Sequence, residues 1–239
     1  MRTWSKAGGL AALGEALGYG LGIGIMGTLL DPGNTQGWSA ARKLAWILER
    51  RGLFQAWYLL VYVGGGLLLV LLVAALHENL KGRGSALLKV ATPLGYVWAG
   101  HVLASGMVAS TAFAPLARLQ AQDPAQAATV WLTLGIVQDG LGGGLEIVGG
   151  LWVLLLSAAA LRSDQLPRAL NALGLGVGLA GLLSLVPPLR EASTAAFGLT
   201  QVVWFGWMGL HLLTRPGDAP AGGSGAGTAG YTGPFGAAQ

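Results

Sequence analysis

Long apolar runs separated by short polar stretches dominate the chain. An α-helix needs about 20 apolar residues to cross the hydrocarbon layer of a bilayer. Six segments have about that length or more, and they cover residues 7–30, 53–76, 87–116, 128–161, 169–187 and 195–213. The pattern predicts an all-α membrane protein, a polytopic bundle of about six transmembrane helices.

The loop after the first segment has a different pattern. Its apolar positions share one face of a helix, and they are Trp38, Ala41, Ala45 and Leu48. Most of its charged residues fall elsewhere around that helix. A helix of this kind rests in the membrane–water interface with its apolar face towards the acyl chains. We therefore expect one interfacial amphipathic helix beside the bundle.

The two ends of the chain differ in character. The first apolar run follows a short basic stretch, but it is too long for a signal peptide and contains Glu15, so we expect an uncleaved first helix. Residues 216–239 are mostly Gly, Ala, Pro, Ser and Thr. Such a composition cannot bury enough apolar surface to fold alone, and it predicts a flexible tail after a transmembrane domain over residues 1–215.

Composition agrees with a membrane protein and removes several other classes. Hydrophobic residues make up 53% of the chain and charged residues only 10%, whereas soluble domains carry about 25% charged residues. The absence of cysteine excludes disulfides, thiolate metal sites and cysteine nucleophiles. The net charge of +4 comes from basic residues at the ends of apolar runs. No basic stretch interleaved with aromatics is present, so we expect no nucleic-acid partner.

Basic residues in short loops predict the orientation. Eight of the 14 Lys and Arg residues fall on the side of the termini and six on the other side. Four of those six belong to the loop with the expected interfacial helix, which accounts for their charge in another way. We expect a multi-pass protein of the cell inner (plasma) membrane with both termini cytoplasmic.

Ionisable groups inside membrane segments are functional candidates because they are costly to bury. Four qualify here: Glu15, His101, Asp139 and Glu146. Glu15, His101 and Glu146 lie near the centres of the first, third and fourth segments. Asp139 and Glu146 are seven residues apart, which places them on one face of a continuous helix. Two carboxyl groups and an imidazole could therefore meet near the midplane and bind an ion, a proton or a polar ligand.

A structural interpretation competes with this cluster. A buried Glu–His hydrogen-bonded pair could fix helix register and do nothing else. The spacing of the four residues matches no metal-ligand motif, so we expect no metal and no cofactor. No serine–histidine arrangement and no HExxH motif is present, so we expect no enzyme.

Glycines between Gln138 and Glu146 form the most distinctive stretch of the chain. They permit an unwound turn with a carboxyl group on either side, which is how many transporters build ion sites. Tight helix packing through Gly140 and Gly144 is the competing account. We expect packing to explain two other glycine patterns, Gly14/Gly18/Gly22 in the first segment and Gly174/Gly178 in the fifth.

The second half of the chain also resembles a known family. Residues 161–168, LRSDQLPR, and 171–174, NALG, are similar to a signature that joins the fourth and fifth helices in a bacterial six-helix membrane family. Residues 201–205, QVVWF, match what is typical of its last helix. The resemblance covers residues 128–213. The family is catalogued only as a domain of unknown function, so the resemblance implies six helices and assigns no activity.

Two functional hypotheses remain. The first is a small transporter or a proton- or ion-coupled binding protein that uses the midplane Glu/His cluster. The second is an accessory or assembly subunit of a larger membrane complex, supported by glycine-lined helix faces, the interfacial helix and the tail. Besides the lipid bilayer, possible partners are therefore other membrane subunits or further copies of the chain.

Overall fold

The computed structural model describes residues 2–81, 86–143 and 146–214, and over these residues the fold is helical with no strand. The predicted tail, residues 216–239, lies outside the described residues. The helices are α1 Arg2–Met26, α2 Ala40–Glu49, α3 Arg51–Tyr58, α4 Gly65–Leu80, α5 Ala86–Gln122, α6 Pro124–Gln138, α7 Ile147–Ser163, α8 Arg168–Leu183 and α9 Arg190–Thr214.

Within the described residues, six helical spans form a closed ring in which neighbours run antiparallel. Span by span, α1 packs on α4, α4 on α5, α5 on α7, α7 on α8, α8 on α9, and α9 returns to α1. The closing contact is antiparallel because Gly9 of α1 lies against Leu213 of α9, whereas Tyr19 lies against Phe205. The first and last described helices therefore begin and end on the same side of the bundle.

Two of the spans are not simple α-helices. In the second, a π-helical segment, Leu59–Gly64, joins α3 to α4. In the fourth, α6 ends in a π-helical turn, Asp139–Gly143, and α7 begins at Ile147. Gly142 has a φ of 103° in this turn, a conformation that side-chain-bearing residues rarely adopt. The fourth predicted segment is therefore a broken helix, and Asp139 and Glu146 do not share one continuous helix face.

The outer surface is that of a protein that faces lipid. Large apolar side chains are exposed on it, among them Leu17, Leu132, Ile136 and Leu210. Exposed threonine hydroxyls donate to the carbonyl four residues earlier, as Thr133 does to Thr129, so their polarity is satisfied within the helix. Five described spans are long and apolar enough to cross a membrane. The sixth, α8, has 16 residues and is about 24 Å long at 1.5 Å per residue.

The helix predicted in the first loop forms, but its buried face differs from the prediction. Ser39 caps α2 by accepting a hydrogen bond from the backbone N–H of Arg42 at 3.2 Å. Leu44, which the predicted face left out, is fully buried and packs with Leu116 of α5 and Ala127 of α6. The helix therefore covers an end of the α5–α6 pair in addition to any contact with headgroups.

Glycine packing holds α7 against α8. A Cβ atom on Gly150 would lie 2.9 Å from the Cα of Gly181, and one on Gly178 would lie 2.7 Å from the carbonyl oxygen of Gly150. Real Cβ atoms do not approach other atoms this closely, so these backbones touch only because the side chains are missing. The predicted packing role of Gly174 and Gly178 is present in the structure.

The other two glycine patterns have mixed outcomes. In α1, Gly14 and Gly22 lie against Leu68 and Val61 of the second span, whereas Gly18 has no atom within 4 Å of where its Cβ would be. In the fourth segment, Gly140 also meets nothing within 4 Å, and Gly144 lies outside the described residues. Of the two accounts of the fourth segment, the unwound turn is the one that the described glycines display.

Candidate functional site

The break in the fourth span places Glu146 at the first turn of α7. Its backbone N–H donates to Oγ of Ser184 at the end of α8, 3.0 Å away, and that hydroxyl donates to the carbonyl of Gly181 at 2.6 Å. A Cβ on Gly181 would lie 2.7 Å from the carbonyl oxygen of Glu146. The end of α8 therefore fixes where α7 starts and where the Glu146 side chain projects.

A cavity of about 650 Å³ opens beside this break, a volume within the range of small-molecule sites. Its lining residues come from α1, the second span, α5, the broken turn and α9: Tyr19, Gly22, Ile23, Met26, Gly27, Asp31, Trp57, Val61, Tyr62, Trp98, Val102, Leu141, Gly142, Glu146, Thr194, Phe197 and Gly198. Asp31 and the end of α1 lie on the side of the bundle opposite the described termini. The cavity thus reaches from that side towards the middle of the ring.

Aromatic rings fill the bundle beyond the cavity. Trp98 lies 5.5 Å from Trp152 between ring centroids, and Trp152 lies 5.8 Å from Trp204. Gly149 and Gly95 allow this arrangement, because each faces the tryptophan of the opposite helix so closely that a Cβ would clash. Trp98, Trp152 and Trp204 are at most 3% exposed, so the rings form a buried layer with Trp98 in the cavity wall and the other two behind it.

Two tyrosines line the cavity together with Glu146: Tyr19 from α1 and Tyr62 from the second span. Asp139 begins the turn whose Leu141 and Gly142 also belong to the lining. The two phenols and the Glu146 carboxyl group therefore belong to one cavity wall.

Glu146 is the only one of the four predicted site residues that lines the cavity. Its carboxyl group has no ion pair and no hydrogen bond within the part of the chain that the structure describes. The carboxyl of Asp139 is exposed at the end of α6. Glu146 is therefore the carboxyl group that a ligand at the inner end of this cavity would meet, while Asp31, Tyr19, Tyr62 and Thr194 are further polar residues of the lining.

His101 lies apart from these carboxyl groups. The half-buried imidazole makes no hydrogen bond or ion pair with Glu15 or Glu146 in the described structure, although its helix neighbours Trp98 and Val102 line the cavity. Among the described residues no three His, Asp or Glu side chains are grouped so that they could hold a metal ion. The described structure thus shows no contact of His101 with either carboxyl group, and the expected cluster of two carboxyl groups and an imidazole stays a prediction.

Glu15 is not part of the cavity wall, and on α1 it lies closer to the side of the termini than Tyr19, which is part of that wall. It is 2% exposed, its Oε2 would be 3.3 Å from a Cβ on Gly65, and its Oε1 has no hydrogen-bond partner in the described structure. The carboxyl group makes a backbone hydrogen bond with Leu69 of α4. One oxygen is therefore held against the second span while the other is buried without compensation.

Replacing Glu15 by leucine should raise the melting temperature of the detergent-solubilised protein. A buried polar atom without a hydrogen-bond partner costs about 1–3 kcal/mol, and an apolar side chain of similar volume removes this cost. Glu15→Gln is the matched control, since it keeps the shape and the buried polarity and should give no comparable gain. A lower melting temperature for Glu15→Leu would show that the carboxyl group makes a stabilising contact.

Sequence reasoning missed a second group of buried polar side chains. Gln201 is fully buried, and neither atom of its amide has a hydrogen-bond partner in the described residues. The same holds for Oγ of Ser157 and Nε1 of Trp204. Gln201 and Trp204 belong to the QVVWF stretch at residues 201–205, which carried the family resemblance, so that stretch contained the only signal that could have found them.

The protein is a multi-pass helical membrane protein. This class is defined by the apolar outer surface and the antiparallel spans, one of which is a broken helix beside a cavity. Within that class, the family model described as "Domain of unknown function (DUF4386)" matches residues 7–215, and the chain belongs to this family. The match confirms the resemblance and extends it over the first half of the chain. No curated protein and no solved structure matches the chain.

Proposed function

We propose that this protein binds a small ligand within the bilayer and transports it, with Glu146 as the polar anchor. The observation that carries the proposal is the broken fourth span, because its turn and Glu146, the residue just before α7, line the cavity of about 650 Å³. Discontinuous helices with a charged or polar group at the break are the usual construction of transporter binding sites. The proposed activity is binding and translocation rather than catalysis.

The proposal also specifies the membrane and the orientation of the protein in it. We put the protein in the plasma membrane with both termini cytoplasmic, in accordance with the charges of the short loops. The cavity then opens to the outside, and the layer of Trp98, Trp152 and Trp204 closes the cytoplasmic side. Translocation requires this layer to open while the rim closes, as in alternating access around a fixed site.

Because the chain contains no cysteine, a single introduced cysteine is the only thiol in the protein and can report on the cavity. Gly198 lines the cavity and has room for a side chain, because nothing lies within 4 Å of where its Cβ would be. Its neighbour Leu199 is 60% exposed on the outer surface. A membrane-impermeant maleimide should label Gly198→Cys quickly in whole cells and Leu199→Cys slowly, because thiols react in water and not in lipid.

The same pair of variants separates transport from a static cavity. A transporter should also expose Gly198→Cys in inverted vesicles, where the reagent reaches the other side. Equal labelling of Gly198→Cys and Leu199→Cys in both preparations would remove the water-filled cavity and the proposal with it. The accessory-subunit hypothesis would then be preferred, and a native mass with stoichiometric partner proteins, in place of a monomer or homo-oligomer, would support it.

A further inference from the structure

The described lining of the cavity is acidic and contains no basic residue. Two carboxylic residues belong to the lining, Glu146 at the inner end and Asp31 at the rim, and none of the described lining residues is Lys, Arg or His. One oxygen of Asp31 accepts a hydrogen bond from the backbone N–H of Gly33. No described side chain is placed to neutralise Glu146, so a cation is the kind of ligand that would complete the site.

The walls around these carboxyl groups are aromatic. Tyr19, Trp57, Tyr62, Trp98 and Phe197 belong to the lining and come from four different spans. Trp57 is held in place by donating a hydrogen bond from Nε1 to the carbonyl of Gly22 at 2.9 Å. Aromatic faces attract cations, and sites with several of them recognise quaternary and methylated ammonium groups. An inorganic cation would instead favour several carboxylates in close reach, and the described residues contain no group of three His, Asp or Glu side chains that could hold a metal ion.

From this combination we infer that the cavity takes an organic cation, a substituted ammonium with an apolar body, whose charge lies at Glu146 and whose apolar groups contact the rings. The inference rests on the proposed function and specifies its ligand. The apolar body accounts for the width of the cavity, and the single inner carboxyl accounts for one positive charge. A lipid acyl chain or other neutral guest would leave that carboxyl without a partner.

Benzyltrimethylammonium is a suitable probe, with benzyl alcohol and benzenesulfonate as neutral and anionic controls of similar size. In detergent solution the cation should slow the labelling of Gly198→Cys by maleimide, while both controls and an equal concentration of sodium chloride should not. Adding Glu146→Gln should raise the half-protecting concentration about tenfold or more, because a tenfold change corresponds to only 1.4 kcal/mol and the lost contact is a desolvated charge pair.

Glu146→Asp supplies the conservative comparison, since it keeps the charge and should retain part of the protection. If the glutamine variant does not fold, the series of four solutes on the Gly198→Cys protein still decides the question. Equal protection by benzyl alcohol, or greater protection by benzenesulfonate, would overturn the ligand class. Fast labelling of Gly198→Cys with no protection by the cation would also overturn it and leave the proposed function standing, whereas slow labelling equal to that of Leu199→Cys would remove both.

Discussion

Replacing Gly181 by alanine is expected to lower the melting temperature of the protein in mild detergent by about 2–12 °C. Overpacking a tight interface costs about 1–3 kcal/mol, and each kcal/mol moves the transition by about 2–4 °C in a chain of this size. The added methyl group would lie 2.7 Å from the carbonyl oxygen of Glu146 and 2.7 Å from the Cα of Gly150. Both are backbone atoms, so no flexible side chain can move out of the way.

Gly176 provides the matched control for this experiment. It lies on the same helix, α8, less than two turns earlier, and nothing lies within 4 Å of where its Cβ would be. Gly176→Ala should therefore leave the melting temperature unchanged or raise it slightly, since alanine favours helix over glycine by about 1 kcal/mol. Equal effects of the two substitutions would mean that α7 and α8 are not in the close contact described above.

The Gly181 contact also connects packing to the site. Relief of the clash requires α8 to move away from Glu146, and Ser184 on that helix would then lose its hydrogen bond to the Glu146 backbone N–H. We expect a protein that still folds to label more slowly at Gly198→Cys or to lose the protection by an organic cation. The glycine contact therefore positions the proposed ligand-binding carboxyl as well as stabilising the helix pair.

The sequence predicted a helical membrane bundle correctly, because hydrophobic length is a local property of the chain. It also identified the glycine-rich break as one of two possibilities. What decided between them is the φ of 103° at Gly142 and the open surroundings of Gly140. Neither is visible in composition, because glycine is equally suited to close packing and to an unusual backbone conformation.

The site was predicted only in part, and the reason is the order of helices around the ring. Depth along a helix can be counted from the sequence, and it placed Glu15 and Glu146 at a common level. Whether a side chain faces the cavity depends on which helices are neighbours. In the structure His101 is not among the residues that line the cavity. Tyr19 and Tyr62 lie near the centres of the first and second segments, and they were missed because an uncharged phenol in an apolar run carries no charge that would mark it as costly to bury.

Replacing Gly142 by alanine should impair the site far more than the matched change two residues earlier. Gly142 lines the cavity with a φ of 103°, and a side-chain-bearing residue held in a left-handed conformation costs about 1–2 kcal/mol. Gly140→Ala carries no such cost, because Gly140 does not have a positive φ and meets no atom within 4 Å.

In the Gly142→Ala variant we expect residue 142 to rotate towards a negative φ, because this relieves the strain. The rotation changes the direction in which the chain enters α7. Ser184 and Gly181 continue to hold the backbone of Glu146, so the rearrangement falls on the turn and on the cavity wall it forms. We therefore expect Gly142→Ala to raise the half-protecting concentration of benzyltrimethylammonium on Gly198→Cys about tenfold, the equivalent of 1.4 kcal/mol, while the melting temperature falls by only a few degrees. Unchanged protection in Gly142→Ala would mean that the break is a device of helix geometry and that the ligand is bound by the opposite wall alone.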